Sequence, residues 1–248
     1  MAQSGAHLST LLQKGRLRAR QSTDLADVAA AQALRALAFG CDDADALDAL
    51  CTHILVENIE TGAILCCFRM LCLNGSTLSQ SYSAQYYDLA ALSLFEGLMV
   101  EMGRFCTHPE HGNDPDVLRM AWGAMTAYVD AQKVELLFGC SSFTGTEAAA
   151  YLDSFAMLSE RHLAPKRWFP RVKAPDVFRF AAHGLRKPDI KRGMRAMPPL
   201  LRTYLMMGGW VSDHAVVDPQ MNTLHVFTGV EIREIPAARK RLLRAVVG

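Results

Sequence analysis

Glu101 and Arg104 lie three residues apart inside the apolar run L-M-V-E-M-G-R-F-C. An unpaired charge is expensive to bury, so a core strand that keeps both an acid and a guanidinium has a use for them. Side chains alternate faces along a strand, so residues three apart face opposite ways unless the strand is bulged. Gly103, between them, is the residue expected to permit that bulge. Arg69, in C-C-F-R-M-L, is a second guanidinium in a strand-like apolar setting. Between residues 36 and 160 there are 17 acids and only four bases, Arg69, Arg104, Arg119 and Lys133. Arginines so placed are suited to a two-pronged grip on a carboxylate, or to holding an amide or hydroxyl. A structural ion pair is the competing reading.

These residues need a frame. Residues 1–14 read as a flexible tail and 15–248 as a single domain. Residues 24–38 are Ala-rich and helical, with Thr23 or Asp24 as cap. Strands are expected at 53–57 and 63–71, around the turn Glu60-Thr61-Gly62, and then at 98–107. Asp114-Pro115 opens an amphipathic helix to 133. A strand at 135–142 and a helix at 145–162 follow. Residues 165–195, interrupted by Pro170, Pro175 and Pro188, are irregular and helical. Pro198-Pro199 opens a helix to about 207, and strands at 209–217 and 223–231 close the pattern. The result is an α+β or α/β chain with a mixed, mostly antiparallel twisted sheet, flanked by helices and carrying a helical basic insertion near 161–207.

Half of the 248 residues are apolar, enough for a substantial core. No run of 18 apolar residues and no secretory h-region occurs, so a cytoplasmic protein is expected. Seven cysteines without a C-x-x-C pair suit neither a disulfide framework nor a structural zinc site, and no metal is expected. The net charge of +1 hides a division: residues 161–195 hold 11 bases and two acids. Such asymmetry concerns partners more than fold. No nucleic-acid-binding motif accompanies it, so nucleic acid is not expected as a partner. A solvated basic face and a docking face both fit the composition.

Several strings resemble, in order, those of the ornithine lipid N-acyltransferases and, more distantly, the acyl-homoserine-lactone synthases. They are L-R-A-L-A-F (34–39), L-D-A-L-C-T-H-I-L-V (47–56), C-C-F-R-M-L (66–71), Y-S-A-Q-Y-Y-D-L (82–89), E-M-G-R-F-C (101–106), L-F-G-C-S-S-F-T-G (137–145) and M-P-P-L-L-R-T-Y-L (197–205). The resemblance implies a GNAT-type fold from about 35 to 230. It also implies attack of an amino acid's α-amine on an acyl thioester. In that reaction the acceptor ammonium must lose a proton, and Glu101 is the candidate base, directly or through water. Glu101 and Arg104 then form the catalytic pair, and Arg35, Phe39, Asp48, Arg69 and Ser141 line the substrate site. For Asp48 a brace of the loop after Cys41 is an equal alternative, and His53 reads as a half-buried strand histidine.

Many CoA-dependent GNAT proteins seat pyrophosphate on a Gly-rich loop after the fourth strand. Here that junction, T-H-P-E-H-G-N-D-P-D, has one glycine against acids at 110, 114 and 116. It argues for no free cofactor and for a donor whose phosphopantetheine arrives on acyl carrier protein. Lys166, Arg167, Arg171 and Lys173 would meet that acidic carrier. The implied product is lyso-ornithine lipid, from a 3-hydroxyacyl group and L-ornithine. Another amino acid acceptor (glutamine, glycine or lysine), a signal synthase, and a non-catalytic carrier-binding module are the alternatives. Peripheral contact with anionic membrane stays open beside the carrier.

Overall fold

Strands whose sequences are apolar at nearly every position are buried on both faces, and those with polar alternation lie at an edge. T-H-I-L-V-E-N is buried throughout its centre, whereas S-T-L-L-Q-K is only partly covered. The computed structural model describes residues 9–112, 114–183 and 187–245. In chain order its strands are β1 (Ser9–Lys14), β2 (Leu17–Ser22), β3 (Thr52–Asn58), β4 (Ile64–Leu73), β5 (Tyr87–Asp88), β6 (Met99–Thr107), β7 (Leu136–Thr144), β8 (Arg171–Val172), β9 (Val177–Arg179), β10 (Trp210–Val211), β11 (His214–Asp218) and β12 (Thr223–Glu231). The helices are α1 (Leu25–Phe39), α2 (Ser83–Tyr86), α3 (Pro115–Gln132), α4 (Leu152–Arg161), α5 (Ile190–Ala196), α6 (Pro199–Met206) and α7 (Ala237–Arg244).

The chain divides into two compact units. The first holds residues up to 72, residues 102–134 and those from 237 onward. Its strands run in the order β1-β2-β3-β4 and then the second half of β6. The β1–β2, β2–β3 and β3–β4 pairs are antiparallel. Asp24 caps α1 by accepting from Ala26 N, and Gly40, at φ 73°, ends it in the left-handed region where glycine carries no Cβ penalty. The buried face of α1 is Val28, Ala31, Leu34 and Arg35. Ala31 and Leu34 join Leu55, Cys67 and Cys106 in one apolar cluster, with Phe39 packed at its margin. In α3, Asp114 accepts from the backbone N–H groups of Asp116 and Val117, and Pro115 occupies the first turn.

The second unit holds residues 73–101 and 135–236. Here the first residues of β6 run parallel to β7, from Met99↔Leu136 to Glu101↔Phe138. Antiparallel pairs then carry the order β7-β12-β11-β9. Phe143, Phe155, Phe180, Leu201, Leu224 and Val226 are central to its core.

Four expectations need correction. Residues 9–14 are not a loose tail but β1, paired with β2; residues 1–8 lie outside the described chain. The helix expected from 145 starts at Leu152, after a 3-10 turn at Ala148–Tyr151. The basic segment is not simply helical, because β8 pairs with β5 and β9 extends the sheet beside β11. The strand expected at 209–217 is cut into β10 and β11 by Ser212. Its hydroxyl accepts from Phe227 N and donates to the carbonyl of His214, replacing ladder bonds.

Candidate active site

Three arginines expected at the site meet one acidic loop in the first unit. Arg35, on the buried face of α1, binds Asp43 through Nε at 2.8 Å and Asp48 through two bonds of 2.7 and 2.9 Å. Arg69, from β4, grips Asp45 with both terminal nitrogens at 2.6 and 2.8 Å and reaches Asp48 at 2.7 Å. Arg104 contacts Asp43 through Nε at 2.8 Å and Asp45 at 3.4 Å. The two-pronged grip expected of Arg69 is therefore present, but its carboxylate belongs to the protein.

The loop itself is pre-shaped. Asp45 caps the 3-10 turn Ala46–Ala49, and Asp48 returns a bond to the backbone N of Asp45, a reciprocal capping box. Gln32 adds a bond to Asp48 at 2.9 Å. Burial alone would raise the Asp48 carboxyl; hydrogen bonds from Arg35, Gln32 and Arg69 outweigh it and hold the group well below the usual carboxylate range. Burial likewise opposes ionisation of Asp45, and the Arg69 guanidinium overcomes it. His53 sits beneath, with Nε2 3.0 Å from the carbonyl of Asp48. A carbonyl only accepts, so Nε2 carries the proton; burial pushes this imidazole's pKa down. Of the two roles open to Asp48, the brace is the one these contacts describe. Asp43 and Asp45 were not singled out in the sequence. The signal was an acid-rich loop beside a helix with a buried arginine.

The backbone at E-M-G-R is irregular beside Gly103. Gly103 is not itself in the left-handed region, and a Cβ there would meet only the Arg69 side chain, at 3.7 Å. Arg104 itself takes the left-handed conformation, φ 56°. A non-glycine residue in this region costs about 1–2 kcal/mol, offset here by the ion pairs its side chain gains.

Glu101 belongs to the second unit, and the start of α2 surrounds its carboxylate. Oε2 accepts from Tyr82 N at 2.8 Å; Oε1 accepts from Ser83 N at 2.7 Å and from the Ser83 hydroxyl at 2.6 Å. No side chain within Y-S-A-Q-Y caps this four-residue helix, and Glu101 does so from another strand. Cys140 lies 3.5 Å from the Ser83 hydroxyl. Ser141 is buried on β7 and accepts from the Thr228 hydroxyl at 2.9 Å. Arg35, Asp48, Arg69 and Arg104 are thus brought together in one unit, which also holds Phe39, the last residue of α1, while Glu101 and Ser141 stand in the other.

Lys166, Arg167, Arg171 and Lys173 are all exposed. They are not equivalent. Arg167 binds both oxygens of the buried Glu231 at 3.1 Å and lies over the Trp168 ring. Lys173 donates to the carbonyl of Ala84, within α2. Arg171 stands opposite Asp88 in the β5–β8 pair. Arg186 lies outside the described residues. Among the described residues, His108, Glu110 and His111, in the turn after β6, bring one potential metal-ligating atom each within 4.8 Å. No helix among them is long and apolar enough to cross a membrane.

The mixed, mostly antiparallel sheet flanked by helices is that of GNAT-type acyltransferases. Residues 29–122 match the profile of the acetyltransferase (GNAT) domain. An N-acyl amino acid synthase from uncultured soil microbes has the same fold, with a TM-score of 0.53 and 10% identity over 90% of this chain and 95% of that one. A Rhodobacter capsulatus protein named L-ornithine N(alpha)-acyltransferase is 32% identical over 190 residues, 74% of this chain and 72% of the relative. A Brucella abortus protein of that name is 29% identical over 204 residues, 78% of this chain and 71% of the relative. The chain belongs to the L-ornithine Nα-acyltransferase family and is an N-acyltransferase.

Proposed function

We propose that this enzyme transfers a 3-hydroxyacyl group from acyl carrier protein to the α-amine of L-ornithine, giving lyso-ornithine lipid. The observation that carries the acceptor is the 32% identity to a relative named for that reaction. In the proposed step the amine nitrogen attacks the thioester carbonyl, the C–S bond breaks and the thiol leaves. The α-ammonium has no lone pair until it loses a proton, and Glu101 receives that proton directly or through a water. The bonds from Tyr82 N, Ser83 N and the Ser83 hydroxyl fix the carboxylate's position for this. Arg35, Arg69 and Arg104 keep the 43–48 loop in one conformation, which supports a positioning role.

A protein-borne donor is supported by the exposed bases Lys166, Arg171 and Lys173, which complement an acidic carrier. Such a donor needs no seat for a nucleotide pyrophosphate, and we place the enzyme in the cytoplasm, where carrier and free amino acid meet.

The test is to incubate the enzyme with 3-hydroxyacyl carrier proteins and a panel of amino acids and read products by mass spectrometry. N-acylornithine is the expected product. Preferential acylation of glutamine, glycine or lysine would replace the acceptor, and no amide with any amino acid would overturn the reading.

A further inference from the structure

Most buried carboxylates of this chain hold an arginine. Asp43 and Asp48 pair with Arg35, Glu57 with Arg20, Asp153 with Arg192 and Glu231 with Arg167. Asp218, at the end of β11 and 4% exposed, is different: among the described residues no lysine or arginine pairs with it. Its two oxygens have separate surroundings. Oδ1 accepts from the backbone N–H groups of Gln220 and Met221, both at 3.1 Å, and shapes the turn into β12. Among the described residues Oδ2 meets only the Tyr82 hydroxyl, at 3.5 Å, the outer limit of a hydrogen bond. A buried carboxylate oxygen so poorly satisfied is costly unless something else meets it.

What surrounds that oxygen suits a cation. The Tyr82 and Tyr86 rings lie 5.1 Å apart with their hydroxyls 3.3 Å apart, and both residues are only half-buried. Aromatic faces and phenolic oxygens beside a carboxylate are an environment for an ammonium group. Tyr82 also ties this place to the proposed base, because its backbone N binds Glu101 while its hydroxyl reaches Asp218. A diamine has a nitrogen for each carboxylate, the α-nitrogen for Glu101 and the terminal nitrogen for Asp218.

We infer that Asp218, with Tyr82 and Tyr86, receives the side-chain ammonium of the acceptor amino acid and selects diamino acids over neutral ones. The inference rests on the proposed acylation of ornithine and assigns the residue that would recognise it. Asp218→Asn separates the two jobs of this side chain: the amide oxygen can still accept from Gln220 and Met221, while the charge is gone.

The experiment compares kcat/KM for ornithine and for norvaline, which has the same carbon chain without the terminal amine. Wild-type enzyme is expected to favour ornithine. Asp218→Asn is expected to lower kcat/KM for ornithine by about 30-fold or more, the scale for truncating one side of a desolvated charge pair, chiefly through KM. Norvaline turnover should not change. Tyr82→Phe leaves the 218–222 turn untouched and should raise KM for ornithine several-fold without affecting norvaline. Ornithine preference intact in both variants overturns the inference. A wild type that acylates lysine instead, with Asp218→Asn losing lysine selectively, overturns ornithine as acceptor and supports the Asp218 site. A wild type that acylates only neutral amino acids overturns both.

Discussion

Arg35 and Asp48 meet through two hydrogen bonds of 2.7 and 2.9 Å, with side chains only 1% and 4% exposed. A pair this dry is costly to break from one side, because the remaining charge stays buried without compensation. Arg35→Met is expected to destabilise the fold by about 3–5 kcal/mol. Urea denaturation should show a lower midpoint with an unchanged slope. A midpoint equal to that of the wild type would mean that the 43–48 loop is held by other contacts.

Arg104 gives a sharper test, because its backbone conformation is unfavourable and its side chain compensates. Arg104→Gly removes the left-handed penalty but also the contacts to Asp43 and Asp45, so stability should change less than for Arg35→Met. Arg104→Lys keeps the penalty and the charge but cannot reproduce a planar fork, and its turnover should drop at least about tenfold. Full activity in the lysine variant would reduce Arg104 to a point charge.

Stability should fall with acid in two stages. Burial depresses the His53 pKa, so below its ordinary value of about 6.5 the unfolded chain takes up a proton that the folded one resists. His53 therefore costs no stability above that pH and a growing amount below it. Asp45 and Asp48 also titrate below their ordinary values, so their contribution is complete above about pH 4 and is lost as pH falls further. Denaturation midpoints measured from pH 7 to pH 3 should show both declines. His53→Gln should flatten the first and keep the second, and Asp45→Asn should flatten only the second.

The elements of the fold were legible because their signals are local. Asp24 caps α1, Asp114-Pro115 opens α3, and β3 carries the continuous apolar run I-L-V at its centre. The site was legible only in part. Arg69 and Arg104 stand out as bases in an acidic region, and Arg35 only through the string L-R-A-L-A-F, but their partners at 43, 45 and 48 are set by tertiary folding. The left-handed residue was not legible, because glycine is the usual occupant and here it is Arg104, next to Gly103, with its side chain ion-paired. The link from Glu101 to Ser83 joins residues 18 apart, and no periodicity encodes it.

Glu101→Gln tests the proposed base. The amide is near-isosteric and its oxygen can still accept from Ser83 N, so folding should survive. Turnover should drop by about 10²-fold or more, the ordinary contribution of a general base. The deficit should shrink as pH rises and more of the acceptor amine is already unprotonated. Unchanged turnover would remove Glu101 from the proton transfer and leave it as the cap of α2.

The basic face should be probed without Arg167, because its guanidinium neutralises the buried Glu231, and reversing it would bring two acids together. Lys166, Arg171 and Lys173 are exposed and suit a triple reversal to glutamate. If this face receives an acidic carrier, the triple variant should raise KM for the acyl carrier protein and leave the rate at saturating donor nearly unchanged, since only uniform binding is removed. The wild-type KM should also rise with salt, because exposed charges are screened over about 8 Å at physiological ionic strength. A truncated acyl-pantetheine donor has no acidic surface and should be indifferent to the change. Loss of binding to anionic vesicles with unaltered carrier kinetics would assign the face to a membrane instead.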